Sequence, residues 1–173
     1  MRGVTATAIA SLLVTQASAA DRQSLPGFQK FQFGISEQAI RQITKIQETS
    51  VEKEGLWLNG AQAIEVDGVS YRLRFLLNGG KLYRVRLSNE TIASDGACET
   101  NFTRVFGLVQ AKYGNPDEPP ERDQVLGGVS TLRTARFTFR DGGQITSSAL
   151  YQDRKCTVLV GYTAGKAKGG SSF

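Results

Sequence analysis

The sequence predicts an α+β fold: an antiparallel β-sheet of about five to six strands with two α-helices packed on one face. Three observations carry this. Apolar residues recur at helical spacing in two stretches, Ile40, Ile43 and Ile46, then Phe102, Val105, Phe106 and Val109. Alternating apolar and polar stretches lie between and after them. Asp-Gly, Asn-Gly-Gly and Asp-Gly-Gly punctuate those stretches where hairpins need positive φ.

Each element has a local reason. Ser36 is a hydroxyl N-cap for the first helix, with Ile35 placed to staple onto Ile40. Trp57, between Leu56 and Leu58, reads as a core anchor. Ile64 and Val66 lead to Asp67-Gly68, a type I′ turn signal. Tyr71, Leu73, Phe75 and Leu77 then alternate with Arg72, Arg74 and Leu76. After Asn78-Gly79-Gly80, the return strand alternates Tyr83, Val85 and Leu87 with Arg84 and Arg86. A three-residue loop at 78–80 opposes Phe75 to Tyr83, Arg74 to Arg84 and Arg72 to Arg86. A two-residue loop sets Phe75 against Arg84 and mixes the faces.

The second helix runs from about Cys98 to Tyr113 and ends at Gly114 and Pro116. Asn115 to Gln124 reads as an acidic, proline-bearing solvated loop whose acids lack EF-hand spacing. Next, Ala135, Phe137 and Phe139 alternate with Arg136 and Arg140. The chain turns at Asp141-Gly142-Gly143 and returns with Ile145 opposite Phe139. A last strand carries Cys156, Val158, Val160 and Tyr162. Each half thus offers a helix and an Asx-Gly-Gly hairpin. An α-β-β pseudo-repeat and two hairpins sharing one turn chemistry both account for the likeness.

Residues 1–19 read as a signal peptide: Arg2, an apolar stretch to Val14, then Ala17-Ser18-Ala19 at the cleavage site. Residues 20–32 read as a flexible lead-in, 33–163 as one domain, and 164–173 as a disordered Gly-, Lys- and Ser-rich tail. No later stretch is long and apolar enough to span a bilayer, and no lipid-attachment cysteine follows the cleavage region. The expected location is periplasmic or extracellular. There the two cysteines, Cys98 and Cys156, most simply form one disulfide; two buried thiols are the alternative.

Composition excludes whole classes of chemistry. The 173 residues carry 21 Lys and Arg, 16 Asp and Glu and no His, for a net charge of +5. Without histidine there is no Ser-His-Asp or Cys-His constellation and no usual zinc or copper site. No cofactor or metal is expected. No SxxK, P-loop or GxGxxG stands in the chain. Catalysis is disfavoured, and its remaining form is a small envelope hydrolase using carboxylates such as Glu118 and Glu121.

Three stretches carry a family likeness: Phe33-Gly34-Ile35-Ser36 opening a helix, Gly80-Lys81-Leu82-Tyr83-Arg84-Val85 on a hairpin, and Ala111-Lys112-Tyr113-Gly114-Asn115-Pro116 closing a helix. They resemble small secreted domains of proteobacteria. The arrangement is also similar to the helix-plus-hairpin units of the β-lactamase-inhibitor-like fold and of small outer-membrane assembly lipoproteins. The resemblance spans roughly residues 31–163 and implies a binding or assembly module; it transfers no catalytic residue. The lipid-bearing cysteine of those lipoproteins is absent here.

The residues themselves single out one surface. Arg72, Arg74, Arg84 and Arg86 share the polar face of one hairpin, and Arg136 and Arg140 extend it if the second hairpin joins the same sheet. Like charges facing one another across strands are destabilising. Either nearby acids neutralise them within the fold, or the face meets an anionic partner, an acidic envelope protein, anionic lipid or glycan. No nucleic-acid motif is present.

Overall fold

The computed structural model describes residues 22–125 and 130–165. The stretch expected to be a signal peptide and most of the expected tail lie outside the described residues. The elements run β1 (Gly27–Phe28), β2 (Phe31–Gln32), α1 (Glu37–Ile43), β3 (Ile46–Glu52), β4 (Gly55–Gly60), β5 (Ile64–Val66), β6 (Val69–Asn78), β7 (Lys81–Ile92), α2 (Asp95–Tyr113), β8 (Glu118–Val125), β9 (Ser130–Thr138), β10 (Gln144–Gln152) and β11 (Lys155–Thr163).

The fold remains α+β, but the expectation of five to six strands is wrong. The main sheet has nine strands, in the order β3-β4-β6-β7-β11-β10-β9-β8 with β5 also on β6, and β1-β2 form a separate hairpin. Two kinds of segment account for the extra strands. β3 and β4 hold no clean alternation, and β8 reads Glu-Pro-Pro-Glu-Arg-Asp-Gln-Val, a poor strand sequence. β8 is nevertheless a strand because it lies at the sheet edge, where a proline need not donate to a ladder, and a register shift between Glu118 and Glu121 absorbs Pro119-Pro120. The acidic stretch is therefore mostly edge strand and not a solvated loop.

The strand order reads outward from the β7–β11 seam as two meanders, β7-β6-β4-β3 and β11-β10-β9-β8. Each meander follows a helix, so the unit is a helix plus four strands and not α-β-β. The two Asx-Gly-Gly turns do not correspond within it. Asn78-Gly79-Gly80 joins β6 to β7, whereas Asp141-Gly142-Gly143 joins β9 to β10. Their likeness is shared turn chemistry.

Asp67 and Gly68 form the expected two-residue turn at positive φ, with Val66 opposite Val69. The next hairpin differs from its expected register. Asn78 pairs with Lys81, so Gly79-Gly80 is a two-residue turn, and Tyr83 is the extra residue of a bulge. The bulge restores the face parity that a two-residue loop alone would lose. Phe75 therefore faces Val85, Arg74 faces Arg86, and Arg72 faces Ser88. In the second half Ile145 faces Phe137 and not Phe139, because residues 139–143 form a longer turn.

The inner face packs Leu73, Phe75, Val85, Leu87, Val160 and Ile145 against Phe102, Val105 and Val109 of α2. Ser94 caps α2 and Ser36 caps α1, whose Ile40 is fully buried. The Sγ atoms of Cys98, on α2, and Cys156, on β11, lie 2.10 Å apart. Residues 22–32 are not a loose lead-in. Leu25, Phe28 and Phe31 are in the core. Arg22 is 5% exposed; it donates to Tyr113 O and Asn115 O and pairs with Asp117 at 2.8 Å. Among the described residues, no helix is long and apolar enough to cross a membrane.

Candidate functional site

Strand pleating sends alternate residues to the outer face, opposite α2. The observed registers place one row across the whole sheet: Glu48, Asn59, Arg74, Arg86, Gly161, Thr146, Arg136 and Glu118. Four of the expected residues, Arg72, Arg74, Arg84 and Arg86, share this face on β6 and β7. Arg136 joins them from β9. Arg140 does not: it lies beyond the end of β9, in the turn, where its N–H donates to Arg22 O.

The arginines differ in what neutralises them. Arg74 pairs with Glu52 at 2.6 Å and donates to Asn59 Oδ1 at 2.8 Å. Arg84 reaches Glu54 at 3.4 Å and Thr163 Oγ1 at 3.1 Å. Arg136 pairs with Glu118 at 2.8 Å, while its Nε is buried without a partner among the described residues. Arg72 is exposed and Arg86 half-buried, and neither makes a hydrogen bond or ion pair among the described residues.

Beneath this charge lies Trp57. It is fully buried as expected, but on the outer face and apart from the main core. It stands opposite Leu76, and the guanidiniums of Arg74 and Arg86 lie over its ring at 4.5 and 4.7 Å from the centroid. Burial, then the neighbouring Arg84 and Arg74, pull Arg86 below its ordinary value, with Glu54 and Glu52 opposing weakly. An arginine still keeps its charge under such conditions. The hydrogen bond from Arg74 holds the Glu52 carboxyl below its ordinary 4.5. Arg86 is therefore held over an aromatic ring, with its N–H groups not committed to a carboxylate among the described residues.

Between Arg86 and Arg136 the row is bare. Gly161 has no side chain, and nothing lies within 4 Å of where a Cβ would stand. Thr146 beside it is short. Neighbouring strands are about 4.8 Å apart, so the two arginines flank a shelf about 14 Å across. Thr163 and Gln144 continue the row's polar character on one side, and Ser148 beside Leu159 borders it on the other. The shelf is the feature that sequence reasoning missed. Gly161 interrupting the strand Val160-Gly161-Tyr162 was its available signal, because an interior strand glycine marks close approach of another group.

The carboxylates offered for hydrolysis, Glu118 and Glu121, both lie on edge strand β8, and Glu118 is engaged with Arg136. No family model matches the chain, and neither a curated protein nor a solved structure matches it. The resemblance drawn from the three motifs thus stands on those motifs alone.

Proposed function

We propose that this chain is an exported binding module whose outer sheet face docks an acidic segment of another protein. The observation that carries the reading is Arg86, a half-buried guanidinium held over Trp57 without a carboxylate and bordering the bare shelf at Gly161. Like charges at Arg74 and Arg86, directly opposite one another, cost stability. A partner carboxylate at Arg86 offsets that cost and satisfies donors suited to bidentate contact. The signal-like pattern of residues 1–19 and the cysteine pair support export.

A protein partner suits the face better than lipid or glycan. Glu52, Glu54 and Glu118 fringe the arginines and repel a uniformly anionic bilayer, whereas a peptide can place single carboxylates between them. Sugar stacking needs an exposed aromatic face, and Trp57 is covered.

The test uses a Glu- and Asp-rich synthetic peptide, phosphatidylglycerol vesicles and heparin fragments against the wild type and Arg72→Gln/Arg86→Gln. The peptide binds the wild type, binding falls with salt, and the double variant loses it while keeping its circular dichroism. Preference for vesicles or heparin overturns the protein partner. Equal peptide binding by the variant overturns the arginine site.

A further inference from the structure

A second feature lies on the opposite side of the sheet, independent of the arginine row. A cleft of about 160 Å³ opens between α2 and the inner face. We propose that this cleft is a binding site for a small aromatic carboxylate, a single ring carrying one acidic group.

Size sets the first limit. An apolar cavity of about 150 Å³ stays dry and takes up benzene. The present cleft is therefore ring-sized, too small for a long acyl chain. Wall chemistry sets the second. Phe28, Tyr71, Tyr113 and Tyr162 supply aromatic edges and faces, and Val105 and Val109 of α2 supply an aliphatic side. Ring-on-ring contacts are favoured over aliphatic packing in such surroundings.

Polar groups then select among rings. Tyr71 is 2% exposed and Tyr162 7% exposed, yet neither hydroxyl makes a hydrogen bond among the described residues. Neither hydroxyl oxygen is fully enclosed, so each is open to a ligand in the cleft. Burial raises both phenols above their ordinary range, so each remains a neutral donor. At the rim stands Lys112, in the last turn of α2, with its ammonium 5.1 Å from the Tyr113 ring centroid. A ligand with its ring against Val105 and its acid toward Lys112 fills the cleft and pairs the cation at its rim. A neutral ring leaves the cation unused, and a bare carboxylate leaves the cleft unfilled.

The test is an NMR titration of the full chain with phenylacetate and, separately, toluene. Both shift the methyl resonances of Val105, Val109 and Val160 saturably. Lys112→Gln weakens phenylacetate about threefold, the range of an exposed ion pair, and leaves toluene unchanged. Val109→Phe fills the cleft and abolishes both. Leu108→Trp, at a rim position already 41% exposed, blocks the entrance should the buried variant fail to fold. Absence of saturable shifts at millimolar ligand, or shifts that persist in the blocked variant, overturns the site. Toluene binding without phenylacetate binding, or equal weakening of both by Lys112→Gln, overturns the carboxylate.

Discussion

On the outer face of the sheet, the central strands β6 and β7 and the edge pair β8 and β9 treat arginine differently. At the edge, Arg136 has Glu118 directly opposite it, and the pair is an ordinary surface ion pair. At the centre, Arg86 faces Arg74 on one side and Gly161 on the other. Its support is an aromatic floor, not an acid. A cation held over an indole face is attracted to it without giving up its N–H donors. The comparison teaches that charge can be anchored and remain available where the anchor is a ring, whereas a carboxylate anchor uses the donors it neutralises.

If the centre rests on its own apolar floor, Trp57→Ala has the largest effect of the outer-face changes. Deleting a fully buried indole is expected to cost roughly 3–5 kcal/mol in urea denaturation. Thr146→Ala, on the shelf, stays within about 0.5 kcal/mol. Equal effects would abolish the distinction between the two regions.

The hold of α2 on the sheet of its own half is tested by Cys98→Ser with Cys156→Ser. The two sulfurs close 58 residues of chain, and losing the link is expected to cost about 4 kcal/mol through the entropy of the unfolded state. Unchanged stability of the oxidised protein on adding reductant would show that no covalent link contributes.

A finer separation comes from Arg86→Met and Arg136→Met. Methionine keeps an apolar stem over Trp57 and removes an unneutralised charge, so Arg86→Met is expected to raise stability by about 0.5–1 kcal/mol. Arg136→Met loses an exposed pair and lowers it by less than about 0.5 kcal/mol. Opposite signs are the diagnostic, and a destabilised Arg86→Met would mean the charge supports the fold.

The smallest effect concerns acid. Glu52 titrates below its ordinary 4.5 because Arg74 donates to it. Its folded value is thus depressed, so its contribution is present above 4.5 and fades as pH falls through the lower folded value. Because Glu52 is exposed the loss is slight; it is read as a Trp57 fluorescence change below pH 4.5 that Glu52→Gln removes.

Much of this was legible in the chain. Arg72, Arg74, Arg84, Arg86 and Arg136 could be assigned to one face because strand alternation is local and survives any shift of two residues. Ser36, Gly114 and Asp67-Gly68 could be read because caps and turns involve only a few neighbouring residues. The arginine pairings could not, since the two-residue turn and the Tyr83 bulge together moved the partners of Arg72 and Arg74 by two. Trp57 could not be given a face, because Leu56 and Leu58 flank it with no polar alternation.

The sequence by itself determined that two helices form, where the hairpins turn, the shared face of five arginines and the positions of both cysteines. All of these depend on interactions within a few residues or on a fixed backbone period. Only the tertiary structure decided which arginines are neutralised. Glu52 and Glu118 reach Arg74 and Arg136 from other strands, Glu54 reaches Arg84 from the β3–β4 turn, and Gly161 reaches the side of Arg86 across the seam between the two meanders. Those distances are set by strand order and register, which depend on how the whole core packs and are written in no single stretch of the chain.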